Sequence, residues 1–218
     1  MNIDKLYIND VDIQEQYGFW LNWRVLSAPA PQLSYQVIPG KHGRLDLSEA
    51  LGDVYYDDRS LTINMTHPSD EWHADYQSFT SAFHGRSCYI KFSNDDEWYW
   101  YGRVIVGQYD SEEHSLSMTA TVFPFKLATQ ETEVETVVTA TSQSNAQTIS
   151  LQNGRMKVTP KVTVTGATNG VNLKWGTNTT TLGNGEYYVT GLTLDEGTLN
   201  VLAWGDGTVT FTYRQGAL

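Results

Sequence analysis

Apolar and polar residues alternate with a period of two through much of this chain, and that rhythm decides the class of fold it can reach. In RSLTINM, Leu61, Ile63 and Met65 fall on one side while Ser60, Thr62 and Asn64 fall on the other. In RMKVTPKVTVTG, the residues Met156, Val158, Val162 and Val164 share a face, and in TVTFTYR Val209, Phe211 and Tyr213 stand against Thr208, Thr210 and Thr212. Successive side chains of a strand point to opposite faces, so alternation marks strands with one buried face, as in antiparallel sandwiches. The fold class this predicts is mainly β.

One segment breaks the rhythm. Within HPSDEWHADYQSFTSAFHGR, Trp72, Tyr76, Phe79 and Phe83 recur at spacings of 4, 3 and 4, which is a helical stripe. It predicts a helix over about 70–84, entered through Pro68 and Ser69, with Asp70 and Glu71 at the positive end of its dipole and Gly85 as C-terminal cap. The segments SCYIKF and EWYWYGRVIV, joined at SNDD, read as a hairpin, and VIVGQYD and SLSMTATVF, joined at SEEH, read as a second. Residues 126–150 turn polar, so a domain boundary is placed near 127, giving domains 1–127 and 128–218. The second domain has turn signals about every ten residues (TGATNG, GTN, LGNGE, DEGT, WGDG), the spacing of a small antiparallel sandwich.

The chain has 218 residues, 40% of them hydrophobic, with 7 Trp, 13 Tyr and 7 Phe. That is ample apolar side chain for a core and not a disordered composition. The formal charge is −11. Most of it lies in residues 1–128, which hold 9 Lys and Arg against 18 Asp and Glu, with 5 against 7 in the remainder. Such a surface repels phosphate backbones and argues against tight nucleic-acid binding. Cys88 is the sole cysteine, which excludes an intramolecular disulfide and a thiolate metal cluster within one chain. No apolar run has the length of a membrane span, and MNIDKLYIND carries no signal-peptide pattern, so synthesis in the cytoplasm without a secretion leader is expected.

Motifs for chemistry are sparse. PGKHGRLD has two glycines around a lysine, but not the spacing of a phosphate loop, and no helix opens after it. Gly40 and Gly43 read instead as turn positions that need positive φ. His67, His73, His84 and Cys88 form at most a loose metal set with no fixed third ligand. Cys88 opens a strand, has no specified histidine partner and reads as a small buried hydrophobe. No carboxylate pair is singled out and no nucleophile elbow is present. The expectation is a non-enzyme without metal or cofactor. The strand EWYWYGR sends Trp98 and Trp100 to one face and Tyr99 and Tyr101 to the other, so both faces need cover, from the core, a subunit or a sugar. Trp175 and Trp204 flank turns and are weak carbohydrate candidates.

The order of pieces resembles a known family. LYINDVDIQEQYGFWL, then IPGKHGRLDLSEALGDVYYDDRSLTINM, an aromatic helix ending FHGR, the pair around YIKFSNDDEWYWYGRV with MTATVFPFK, and the closing GTVTFTYRQGAL are similar to the distal tail protein of long, non-contractile tailed bacteriophages (siphophages). The length matches the family's short form, without inserted carbohydrate-binding modules. The resemblance implies an N-terminal β-sandwich-like domain with one α-helix and an extended arm, which forms a homohexameric ring, and a galectin-like C-terminal β-sandwich. It implies a virion structural protein of the tail tip or baseplate, a hub that joins the major tail tube protein to a tail-associated lysin or tail fibre protein and to a receptor-binding protein. PGKHGRLDL would then belong to the arm that engages the neighbouring subunit. Val37, Ile38, Leu45 and Leu47 are the expected buried side chains there, with Gly40 and Gly43 in its turn, and Arg44, Asp46 and Arg59 setting register. The C-terminal half has no histidine and lacks the galectin sugar-binding constellation. The reading of a different class is a non-catalytic carbohydrate-binding module for host cell-wall polysaccharide, built on Trp98–Tyr101 or on Trp175 and Trp204.

Overall fold

The computed structural model describes residues 4–50, 52–69 and 72–218, and the chain divides into two units, 1–126 and 127–218. The first unit contains β1 (Leu6–Ile8), β2 (Val11–Asp12), α1 (Ile13–Tyr17), β3 (Trp20–Leu26), β4 (Tyr35–Val37), β5 (Arg44–Asp46), β6 (Arg59–Thr66), α2 (Trp72–Phe83), β7 (Ser87–Phe92), β8 (Trp98–Asp110) and β9 (Ser115–Val122). A short β10 (Lys126–Ala128) lies at the boundary. The second unit contains β11 (Thr132–Val138), β12 (Gln147–Asn153), β13 (Lys161–Thr165), β14 (Val171–Trp175), β15 (Asn178–Leu182), β16 (Gly185–Tyr188), β17 (Gly197–Gly205), β18 (Gly207–Tyr213) and β19 (Gly216–Ala217).

In the first unit seven strands follow one another in the order β2-β1-β7-β8-β9-β6-β3. The 13-residue β8 is the common strand of both expected hairpins, pairing antiparallel with β7 and with β9. The alternation read from RSLTINM is borne out: Leu61, Ile63 and Met65 are fully buried, facing Val104, Leu116, Met118 and Val122 in the same cluster. The second layer over this face is helical. Phe79 and Phe83 of α2 are buried, 5.1 Å apart between ring centroids, and meet Tyr17 and Phe19 edge-on or tilted at 5.4–5.7 Å. Gly85 ends the helix at φ +74°, as a left-handed C-terminal cap requires. Asp70 and Glu71, expected in its first turn, lie outside the described residues.

A second, five-residue helix, α1, was not expected. Asp12 caps it by accepting hydrogen bonds from the backbone N–H of Gln14 and Glu15, and Gly18 closes it at φ +69°. Lys5 donates to Asp12 at 2.7 Å, which ties the cap to β1.

The second unit is a sandwich of two four-stranded antiparallel sheets, β11-β18-β13-β16 and β12-β17-β14-β15. Val162, Val164, Val209, Phe211 and Tyr213 from the first sheet meet Ile149, Leu151, Val171, Leu173, Val201 and Ala203 from the second. The alternation in TVTFTYR therefore marks the core, and in RMKVTPKVTVTG Val162 and Val164 are fully buried with Val158 half-buried against the same cluster, although the strand itself is interrupted. Pro160 has no N–H to give a ladder, so the strand begins at Lys161 and Val158 keeps only an isolated bridge to Leu194. Asn153, buried, donates to the carbonyls of Met156 and Leu194 and pins this irregular stretch from below.

Candidate functional site

Between β3 and β6 the first unit extends a long antiparallel excursion, laddered from its base outward. Ser27 N–H donates to the Ser60 carbonyl, Asp57 N–H to that of Ala30, Gln32 N–H to that of Tyr55 and Leu47 N–H to that of Ser34. Beyond these, β4 pairs with β5 through Tyr35↔Asp46, Gln36↔Leu45 and Val37↔Arg44. The turn between them places Gly40 at φ +80° and Gly43 at φ +82°, with open space where a side chain would be. A left-handed turn, not a phosphate cradle, explains both glycines. Asp46 accepts from the backbone N–H and hydroxyl of Ser48, and these bonds hold its carboxyl below its usual pKa.

Every residue from 30 to 46 is exposed. Directly opposed residues of an antiparallel pair share a face, so Tyr35 and Val37 stand with Arg44 and Asp46, while Ile38 and Leu45 lie with Gln36 on the reverse. Val37 is 67% exposed and Leu45 39%. Both faces of the arm therefore carry uncovered apolar side chains, as do Leu33 and Tyr55. Leu47 is half-buried at the arm's inner end. Arg59 sits elsewhere. It is buried on the core face of β6, donates to the Ser27 carbonyl and lies 4.8 Å over the Trp100 ring. Burial lowers the pKa of this guanidinium, and its place is the root of the arm, not its tip.

Two further surfaces of the first unit are uncovered. The edge strand β3 exposes Trp20, Trp23 and Val25, the kind of edge that pairs with another chain unless it is blunted. The outward face of β7, β8 and β9 exposes Tyr89, Tyr101, Ile105 and Phe123. A shallow hollow of about 500 Å³ lies among Tyr101, Ile105 and Phe123, with Asp58 and Arg103 beside them. The four aromatics of EWYWYGR thus separate as alternation requires. Trp100 is buried, and Trp98 lies under the Lys126 ammonium at 5.0 Å. Tyr99 and Tyr101 both pack against Tyr89, with ring centroids 5.0 Å apart.

The remaining candidates separate from one another. His67 is not a ligand on the surface: it is buried, edge-on to Phe19, with Nε2 3.1 Å from the Asp75 carboxylate. Gly18 makes this possible, since a Cβ there would fall 2.6 Å from His67 Nε2. His73 and His84 are exposed and Cys88 is buried, with its thiol pKa pushed up by burial. Among the described residues no group of three or more His, Cys, Asp or Glu could hold a metal ion. Among the described residues no helix is long and apolar enough to cross a membrane. Trp175 is not a surface platform either. It is buried in the sandwich and its Nε1–H donates to the Gly191 carbonyl at 2.9 Å. Trp204 is half-buried on β17, away from Trp175 in register. The exposed residues Trp23, Val25, Tyr55, Ile105 and Tyr188 were not singled out from sequence, because an apolar residue at an edge or on an open face carries the same local pattern as one in the core.

No protein-family model matches the sequence, and no curated protein does. The structure, by contrast, is similar to the crystal structure of the Dit protein (gp 19.1) of SPP1, described as a paradigm of the hub adsorption apparatus in phages infecting Gram-positive bacteria. The likeness has a TM-score of 0.65 at 13% identity and covers 98% of this chain and 99% of that one. The chain shares the fold of the SPP1 Dit protein over essentially its whole length.

Proposed function

We propose that this protein is a structural hub of a siphophage tail tip, non-enzymatic, assembling as a closed homohexameric ring. In this reading the ring joins the tail tube to the tail-associated lysin or tail fibre and the receptor-binding apparatus. The observation that carries the proposal is the full-length likeness to a hub protein, both units included, at a sequence identity where fold alone persists. The physical means of assembly are present as well. A ring needs a heterologous contact, one patch on each subunit meeting a different patch on the next. The arm, with exposed apolar side chains on both faces, supplies the first patch, with Val37, Ile38 and Leu45 as anchors and Arg44 and Asp46 to fix register.

The acidic balance of the first unit suits a ring lumen through which DNA slides without sticking. The test is the solution mass by size-exclusion chromatography with light scattering, joined to negative-stain microscopy. A species near six times the 24.5 kDa chain, seen as rings, is expected. A monomer at every concentration, with no ring on addition of the tail tube protein, would sink the reading.

A further inference from the structure

Three asparagines of the C-terminal unit precede a glycine: Asn153–Gly154, Asn169–Gly170 and Asn184–Gly185. Glycine has no Cβ to shield its own nitrogen, so that nitrogen can reach the side-chain Cγ of the residue before it and close a five-membered ring. The structure makes the three pairs unequal. Asn153 is buried at the end of β12, and its Nδ2 donates to the carbonyls of Met156 and Leu194. Asn184 is exposed but clamped: its Oδ1 accepts from the Ala167 N–H at 2.8 Å and its Nδ2 donates to the Ala167 carbonyl at 2.9 Å. Gly185 behind it stands in the β13–β16 ladder opposite Val164. Asn169 differs on each count. It is exposed on the bend between β13 and β14, and its side chain makes no hydrogen bond among the described residues. The Gly170 N–H makes none either. The bend is held through its backbone instead, since the N–H groups of Thr168 and Asn169 donate to the Asp206 carboxylate at 3.0 and 3.1 Å. Gly170 is needed there for a steric reason: its φ is +87°, and a Cβ would fall 2.9 Å from the Leu182 carbonyl oxygen.

We infer that Asn169 is a site of spontaneous deamidation in the folded protein, and that the fold protects the other two asparagines. The Gly170 nitrogen, having given its proton to solvent, attacks Asn169 Cγ. A C–N bond forms and closes a succinimide, the Cγ–Nδ2 bond breaks, and Nδ2 leaves as ammonia with a proton taken from water. Water then adds to one of the two imide carbonyls, and the ring opens to aspartate or isoaspartate without an oxidant or an enzyme. Asn184 must surrender two hydrogen bonds before its Cγ can turn toward Gly185, which slows the same step about 5- to 160-fold. Asn153 must give up two as well and also leave a buried site. Conversion at 169 sets a new carboxylate beside that of Asp206, which already accepts the N–H of this residue. Like charges at that distance repel, and the isoaspartate form adds a methylene to the backbone, so the product loosens the hold on the bend. The inference concerns one loop of one chain and does not rest on the hub reading.

The test is mass spectrometry of the folded full chain held at mildly alkaline pH, where the glycine nitrogen loses its proton more readily, beside the same chain unfolded in urea. Trypsin cuts after Lys126, Arg155, Lys161, Lys174 and Arg214, so the three asparagines fall in three peptides, and fragment sequencing separates Asn169 from Asn172. Exchange of an amide for a hydroxyl raises the peptide mass, and an isoaspartyl methyltransferase labels the isoaspartate product. In the folded chain Asn169 is expected to convert first, about 5- to 160-fold faster than Asn184, with Asn153 last. In urea the three rates are expected to converge, because the clamps are gone. Asn169→Gln, which would have to close a larger ring, is expected to remove the label from peptide 162–174. Conversion of Asn184 or Asn153 ahead of Asn169 in the folded chain overturns the inference, and so do equal rates at all three. An Asn169 that stays intact in the folded chain while the unfolded chain converts overturns it as well.

Discussion

Replacing Val37 and Leu45 together by aspartate tests whether the arm works between chains or within one. The two side chains occupy opposite faces of the β4–β5 ladder, so the pair disables both. Full burial of a valine or leucine side chain is worth about 1.5–3 kcal/mol. Scaled by the 67% and 39% that remain exposed in the single chain, an interface covering both would gain about 2–3 kcal/mol from them. Loss of that term weakens each contact about 30- to 160-fold, before the added cost of desolvating two carboxylates. The chain itself loses nothing comparable, since surface substitutions change stability by about 0.5 kcal/mol or less. Light scattering over a dilution series reads the first effect, and urea unfolding under conditions where wild type is also dissociated reads the second. The expected result is dissociation at unchanged chain stability. The Val37→Ser, Leu45→Ser pair should repeat it without new charge. A variant that keeps the wild-type mass at every concentration refutes the role given to the arm, and one that loses chain stability shows that the arm belongs to the subunit's own fold.

Other expectations concern the units themselves. Phe79→Ala empties a fully buried site among Tyr17, Phe19 and Phe83. It should cost about 3–5 kcal/mol, read as a large fall in the urea midpoint of the N-terminal unit, and a shift below about 1 kcal/mol would show that the helical layer carries little of that core. Gly102→Ala places a Cβ 2.1 Å from the Thr121 carbonyl oxygen and 2.6 Å from Val122 Cα. Because both are backbone, β8 and β9 must part, at a cost of about 1–3 kcal/mol; wild-type stability by the same assay would contradict the close approach. Asp206 accepts hydrogen bonds from the backbone N–H of Asn169 and Thr168, which lower its carboxyl pKa from 3.8. A depressed folded pKa gives stability that is complete above the unfolded value and lost as pH falls through the folded one. The C-terminal unit should therefore weaken below about pH 4, and Asp206→Ala should flatten that acid dependence in unfolding measured from neutral to acid pH. An unchanged slope would assign the acid loss to other carboxylates.

How much of this was legible depended on the range of the interaction that fixes each feature. Strand faces at Leu61–Met65 and Val209–Tyr213, the Trp72–Phe83 stripe and the turn at Gly40 and Gly43 are set by local periodicity or backbone sterics, and the sequence displays them directly. The helix α1 is too short for a stripe. Its signals were there nonetheless, in Asp12 three residues before Glu15 and in Gly18 at the far end, a cap at each side of one turn. Burial of His67 was not legible, because Phe19 and Gly18, which enclose it, are distant in sequence, and burial of Trp175 was not, because a tryptophan beside a turn has the same local pattern whether its indole is open or, as here, held by the Gly191 carbonyl 16 positions on. The separation of Arg59 from the arm has the same origin. Its core-facing parity on β6 was readable, but the Ser27 carbonyl and the Trp100 ring that hold it are 32 and 41 positions away.

The rungs that tie Ala30 to Asp57, Gln32 to Tyr55 and Ser34 to Leu47 have a kinetic meaning for assembly. A flexible segment that orders only on contact must surrender its conformational freedom at each encounter, and this slows and weakens capture. An arm already laddered along its length has made that sacrifice during the folding of its own chain. On a neighbour it would act as a stiff peg, so closure of the proposed ring would be governed by collision and alignment, with no folding step waiting behind them.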